Sequence, residues 1–388
     1  QEIIANALTR DQLRGVLDMR TPQRSFFRSP VIRAGHVGYP LTGRGQGASA
    51  STVRDRIRRL YPQMSDAGLS DFLETRDVSN DTWLRTLEQE YKDLDEALTR
   101  WLWIDTGRPS WGARRRISRA IRNAWRNSST QWDVDLRGFY RGQTIELEGE
   151  AFGRELATLP PLPGNFNHVT GVILSNCGLA EEGTVFLSTF RKLRALDLSG
   201  NGLTRLPPVV EQMPFLEHLA LDENEIALTA ESAANLGGKV ALEMLSLEGN
   251  PLGRTLDISR LGQLKLLFLA NCEQTQWPAG LFAKPRPRGF VLDLTSNPLS
   301  EIPEVAPGSE RAQILARTAL DRDQVTPQVL EKLKLYIESV GLDPNRNLPP
   351  RGTLDSAYWM SGLTQQQWLE KQPIWDAVEE AEGAEPFF

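Results

Sequence analysis

One pattern of spacing limits this chain more than any other. Apolar residues at positions one, four, six and eleven of a frame, with Asn or Cys at position nine, occur as Val169, Val172, Leu174, Cys177 and Leu179, and again as Leu193, Leu196, Leu198, Asn201 and Leu203. The frame returns at Leu216, Leu219, Leu221, Asn224 and Ile226, and at Leu242, Leu245, Leu247, Asn250 and Leu252. A fifth copy, Leu264, Leu267, Leu269 and Cys272, ends in the polar Gln274, and a sixth, Leu292, Leu294, Asn297 and Leu299, has Gly289 at its first position. The sixth position falls at 174, 198, 221, 247, 269 and 294, in steps of 24, 23, 26, 22 and 25 residues. A unit this short cannot bury its own apolar stripe, so the copies must stack into a shared core.

The frame resembles the leucine-rich-repeat signature, which implies one short parallel strand per copy with its leucines pointing inward. The Asn or Cys at position nine is placed to hydrogen-bond backbone that the following turn leaves unpaired. Pro207-Pro208, Pro278 and Pro303 follow strands, where the chain has to leave the sheet. A weaker first copy is expected at Ile145, Leu147 and Phe152, ahead of the proline-rich stretch 159–163. Both cysteines of the chain, Cys177 and Cys272, occupy ninth positions four strands apart, roughly 19 Å at a strand spacing of ~4.8 Å, too far for a disulfide. They are expected to be buried thiols filling ladder slots.

The flanks change period. Leu84, Leu87, Tyr91, Leu94, Leu98 and Trp101 follow at steps of 3, 4, 3, 4 and 3, the seam of one long helix, with Asp81 or Ser79 as N-cap and Gly107 and Pro109 after it. Shorter apolar faces precede it at Val53, Ile57, Leu60 and Tyr61, and at Leu69, Phe72 and Leu73. After the repeats, Thr326 caps a helix with Pro327 at its first position, Val329, Leu330, Leu333, Ile337 and Val340 on one face, and Gly341 as its stop. Trp359, Trp368 and Trp375 are expected to anchor a further helical layer. The predicted fold class is therefore α+β. A helical N-terminal region covers 1–135, a repeat solenoid with its N-terminal cap covers 136–305, and a helical tail covers 306–388.

Catalytic chemistry finds little support. His36, His168 and His218 are scattered, and neither G-x-S-x-G nor H-E-x-x-H occurs. Gly43, Gly45 and Gly47 lack the Lys-Ser/Thr ending of a phosphate loop and read as a flexible loop. No catalytic residue, metal ligand or cofactor site is predicted, and no apolar run approaches the ~20 residues that span a bilayer. Residues 114–126 hold six arginines and no acid, which would suit an anionic membrane or a nucleic acid. The favoured reading is a solvated helix face capping the first repeat, because the chain carries a net charge of −6 and no aromatic platform accompanies the run. Neither partner is expected.

The frame does predict a binding face. Third and fifth positions alternate away from the leucines and are expected to face solvent on the concave side. The fifth-position column reads Ile173, Asp197, Ala220, Ser246, Phe268, Asp293, and the third reads Gly171, Ala195, His218, Met244, Leu266, Val291. With Asp222, Glu223 and Glu248 this places an acidic centre beside an apolar patch. The candidate partner-binding residues are Asp197, His218, Asp222, Glu223, Met244, Glu248, Leu266 and Phe268, for a protein with basic residues around an apolar anchor. The same acids would also simply keep an acidic solenoid in solution.

The order of parts carries a second resemblance. The stretch Arg56-Ile57-Arg58-Arg59-Leu60-Tyr61-Pro62, the long helix to Trp101, the short run of repeats, and a tail with Trp368, Trp375 and Phe387-Phe388 resemble bacterial NEL-type (IpaH-like) E3 ubiquitin ligase effectors. That resemblance implies a host target on the concave repeat face, and autoinhibition through repeats folded back on a ligase domain. It also implies secretion into the host cytoplasm. In that family a helical domain beyond the repeats takes ubiquitin on the cysteine of a Cys-x-Asp motif and meets the ubiquitin-conjugating enzyme. Cys177-Gly178-Leu179 and Cys272-Glu273-Gln274 do not match, so no catalytic residue carries over, and the sequence, opening on Gln1, reads as a piece ending before that domain. The alternative is a leucine-rich-repeat adhesin or toxin-like interaction protein without ubiquitin chemistry.

Overall fold

The computed structural model describes residues 31–33, 36–38, 52–76, 80–104, 110–126, 131–132, 142–147, 149, 152–287, 289–321, 324–345 and 365–380. The glycines at 43, 45 and 47, Ser79, Gly107, Pro109, Trp359, Phe387 and Phe388 lie outside them. The chain divides into two compact units, 1–56 and 57–388. In the first, strands β1 (Val31–Arg33) and β2 (His36–Gly38) pair antiparallel.

The helical part comprises α1 (Val53–Leu60), α2 (Asp66–Glu74), α3 (Thr82–Trp103) and α4 (Trp111–Trp125). Ser65 caps α2 by accepting from the Gly68 N–H. At α3 the side chain of Asp81 makes no capping bond, and Asn80 Oδ1 takes the Thr82 N–H at 3.1 Å instead. The α3 seam is buried at Leu84, Leu94, Leu98 and Trp101, as its spacing requires. An aromatic nucleus joins these helices: Trp125 stacks on Tyr61 with ring centroids 5.7 Å apart, and Tyr91 meets the same indole at 5.1 Å.

An eight-stranded sheet follows, in strict chain order. It runs from β3 (Gln131–Trp132) and β4 (Gly142–Glu146) through β5 (Val169–Ile173), β6 (Ala195–Asp197), β7 (His218–Ala220), β8 (Met244–Ser246) and β9 (Leu266–Phe268) to β10 (Val291–Asp293). β3 is antiparallel to β4, and β4 to β10 are all parallel. The weak first copy is real, since β4 pairs with β5 and Ile145, Leu147 and Phe152 are buried. The register matches the frame: Val172, Leu196, Leu219, Leu245, Leu267 and Leu292 pair in succession. These leucines are inaccessible to water, each worth roughly 1.5–3 kcal/mol of burial.

The ninth positions form the second ladder. Asn224 Nδ2 donates to the carbonyls of Leu198, Leu221 and Asp222 at 2.9–3.0 Å while its Oδ1 accepts from the Leu203 N–H at 3.2 Å. Asn201, Asn250 and Asn297 repeat the arrangement. Cys177 and Cys272 are free, buried thiols, and each Sγ–H donates one such bond, to Leu147 O at 3.1 Å and to Leu247 O at 3.0 Å.

Short helices α6 (Pro208–Glu211) and α7 (Ala230–Gly237) lie between strands, and the edge of the last strand is covered. At the last strand, Leu294 N donates to Ala319 O and Ala319 N to Leu292 O, both at 3.0 Å, so the segment after α8 (Glu310–Arg317) satisfies the open edge. Helix α9 (Pro327–Ser339) packs on α8, with Thr326 accepting from the Val329 N–H and Gly341 at φ +83° after its end, as the sequence suggests. A last helix, α10 (Gln365–Glu380), contains Trp368 and a half-buried Trp375.

At the other end the helical part is bonded to the cap of the sheet. Trp101 Nε1 donates to Thr158 Oγ1 at 3.0 Å, His168 Nε2 to Ala124 O at 2.7 Å, and Glu90 Oε1 accepts from Trp125 Nε1 and Asn165 N. Short helix α5 (Phe152–Leu156) sits against the first full copy so closely that a Cβ on Gly153 would lie 2.0 Å from Gly178 O.

Candidate functional site

The repeat sheet presents its third and fifth positions on one face in two aligned columns, Gly171–Ala195–His218–Met244–Leu266–Val291 and Ile173–Asp197–Ala220–Ser246–Phe268–Asp293. The candidate residues thus come together as the frame predicts, on rigid neighbouring strands. Their exposure differs from expectation. Met244, Leu266 and Phe268 are only 1–2 % exposed, and they form one buried cluster with Ala195, Ala220 and Val291; His218 is buried as well. The sequence reading had these side chains facing water. Strand alternation identifies the face a side chain occupies but not whether that face is covered. A contiguous column of Met, Leu, Phe and Val left in water would forfeit about 25 cal/mol for every Å² of apolar surface. Within this chain the column is closed.

The acids stay nearer the surface. Glu223 is exposed, and Asp197, Asp222 and Glu248 are half-buried. Asp222 accepts from the Ser246 hydroxyl and from the Glu248 N–H at 3.1 Å, and Asp197 accepts from Ser199 N at 2.8 Å, so both carboxylates are aimed by the backbone turn that follows each strand. Glu223 itself sits at φ +51° in that turn. Glu217 and Glu243, which flank the centre in sequence, are matched by Arg194 at 2.7 Å and Lys265 at 2.6 Å in exposed cross-strand pairs. The acidic edge is therefore narrower than the sequence suggests, and centred on Asp222, Glu223 and Glu248.

Neither thiol is fitted to act as a nucleophile. Burial pushes the Cys272 thiol up to about 12, the opposite of the lowered value that a reactive thiolate needs. Among the described residues no cluster of His, Cys, Asp and Glu could hold a metal ion, and no helix is long and apolar enough to cross a membrane.

One grouping escaped the sequence reading. Trp103, Ile104 and Trp111 stand exposed where α3 ends and α4 begins, with the two indole centroids 5.5 Å apart. The signal was available in part: Trp103 lies two residues beyond Trp101, about 200° around the helix from the buried seam.

A family model for the leucine-rich repeat matches residues 192–213, the second copy of the frame. With the in-register parallel strands, this shows leucine-rich repeats with helical flanks, a fold that generally binds proteins. Mouse podocan is 38% identical over 117 residues, which is 29% of this chain and 18% of podocan, so the chain spans under a fifth of that relative. Among solved structures, the leucine-rich effector YopM from Yersinia pestis is similar at 19% identity and a TM-score of 0.38, covering 61% of this chain and 60% of that one. A leucine-rich-repeat protein of Leptospira interrogans matches at 19% identity and a TM-score of 0.34, over 63% and 62% of the two chains. An internalin of Listeria monocytogenes matches at 14% identity and a TM-score of 0.29, over 52% and 46%.

Proposed function

We propose that this chain is the target-recognition part of a bacterial NEL-type ubiquitin ligase effector that acts in host cytoplasm, divided functionally into 1–135, 136–305 and 306–388. The observation that supports it is the acidic edge at Asp222, Glu223 and Glu248, held by paired strands beside an apolar column closed within the chain. A host protein bearing basic residues meets the edge first. Its apolar anchor reaches Met244, Leu266 and Phe268 when the face opens, so target binding and release of a closed state are one step. Asp197 and His218 border the same column. Ubiquitin transfer belongs to a separate helical domain with a Cys-x-Asp motif, which also meets the conjugating enzyme, because the two thiols of this chain are structural.

Two measurements test this. Capture of host proteins by the chain is compared with capture by Glu223→Lys, whose side chain is exposed; loss of a specific band at an unchanged melting temperature supports the edge, and equal capture removes it. The gene downstream of codon 388 is then read: a helical domain with Cys-x-Asp supports the ligase assignment, and an unrelated domain or a stop codon ends it.

A further inference from the structure

Helix α4 has two faces of different chemistry. Ala113, Ile117, Ile121 and Trp125 point into the core, whereas Arg115, Arg116 and Arg119 are exposed, and the helix contains no acid. No ion pair holds these three arginines among the described residues; Arg116 lies over the Phe152 ring at 4.6 Å, a contact that leaves its charge in place. Trp111, the first residue of α4, is 42% exposed and shares a stripe with Arg115 and Arg119 at spacings of four. Against it leans Trp103, 71% exposed, with Ile104 beside it at 49%. Sequence inspection finds no aromatic platform for the arginine run. The fold supplies one, by returning the end of α3 to the start of α4.

We infer that this stripe docks on the surface of an anionic phospholipid bilayer. Trp103, Ile104 and Trp111 enter the headgroup boundary, where an indole keeps its ring in an apolar setting and its N–H in a polar one. The guanidinium groups then lie over lipid phosphates and carboxylates. Charge complementarity selects this occupant. The chain is net negative, so an anionic surface attracts it only where cations stand unneutralised, and here they adjoin exposed apolar side chains. A nucleic acid would need open ring faces for its bases. These two rings meet each other at one patch and so offer no succession of platforms along a strand.

Flotation of the full chain with vesicles tests the proposal, using phosphatidylcholine alone and phosphatidylcholine mixed with phosphatidylserine. The chain is expected to float with the mixed vesicles only and to be released by added salt. Arg115→Glu/Arg119→Glu lowers partitioning by roughly tenfold or more. Trp103→Ser lowers it at constant charge, and the exposed positions leave the melting temperature unchanged. Absence of flotation with mixed vesicles overturns the inference, as does equal flotation of both variants. Binding of a short poly-uridine RNA that both variants abolish, without vesicle binding, assigns the stripe to nucleic acid instead and equally overturns it.

Discussion

Glu155 and Arg114, 41 residues apart in the chain, form an ion pair at 2.5 Å with both side chains essentially out of water. Every strong bond around it is used to join two elements. Glu155 also accepts from the Ser110 N–H at 2.7 Å, and Arg114 Nη1 donates to the carbonyls of Trp101 and Ile104 at the end of α3. One carboxylate from the cap of the sheet thereby ties the end of α3 to the start of α4, the two longest helices of the N-terminal part. Breaking it from one side strands a buried charge. Glu155→Ala should lower stability by about 3–5 kcal/mol, whereas Arg114→Met/Glu155→Leu, which removes both charges, should cost much less. Urea denaturation of the two variants makes the comparison, and an equal loss in both would mean that the charges contribute nothing beyond packing.

The Asn ladder should tolerate one specific replacement better than others. Asn224→Ala leaves the Leu203 N–H without its partner, a loss of roughly 1–3 kcal/mol, while the carbonyls of Leu198, Leu221 and Asp222 keep a second donor from Asn201, Asn250 and Gly200. Asn224→Cys keeps one donor, as Cys177 and Cys272 do in their own copies. Chemical denaturation should rank the Cys variant between wild type and the Ala variant.

Phe268 distinguishes a covered face from an open one. Because its ring is buried among Met244, Leu266 and Val291, Phe268→Ala should cost about 3–5 kcal/mol, comparable to the ~2–5 kcal/mol for the core substitution Leu221→Ala. A solvent-facing phenylalanine would lose almost nothing. Melting temperatures of the two variants, measured together, decide the matter.

Cys272 should be silent to thiol reagents in the native state. With the thiol pushed up to about 12 from an ordinary value near 9.0, it stays protonated at neutral pH and buried. Ellman's reagent at mildly alkaline pH should react with no thiol in the folded protein and with both in urea. The sign of the linked pH effect follows. The unfolded state releases this proton from about 9 upward while the folded state retains it, so stability is unaffected below that range and falls as pH climbs toward about 12.

Much of this architecture is readable because a repeat states the same instruction several times. The ladder positions from Val169 to Leu299, the paired register of β5 to β10 and the burial of both thiols follow from local spacing, and the α3 seam from Leu84 to Trp101 follows from a single helical period. Even in these regions, side-chain chemistry shifted details. Asn80 rather than Asp81 supplies the bond at the start of α3, because its Oδ1 accepts from the N–H two residues on, the geometry of an Asx turn.

The candidate face was legible as a list and illegible as a surface. The sequence by itself determined that Asp197, His218, Met244, Leu266 and Phe268 share one side of a parallel sheet, since a two-residue alternation is a property of each strand alone. Only the tertiary structure decided that the apolar part is closed and the acids are left near water. The same holds for the union of Arg114 with Glu155 and of Trp103 with Trp111. Periodicity is set by bonds between near neighbours in the chain, whereas coverage, ion pairing and ring contact depend on which distant segments the core brings together.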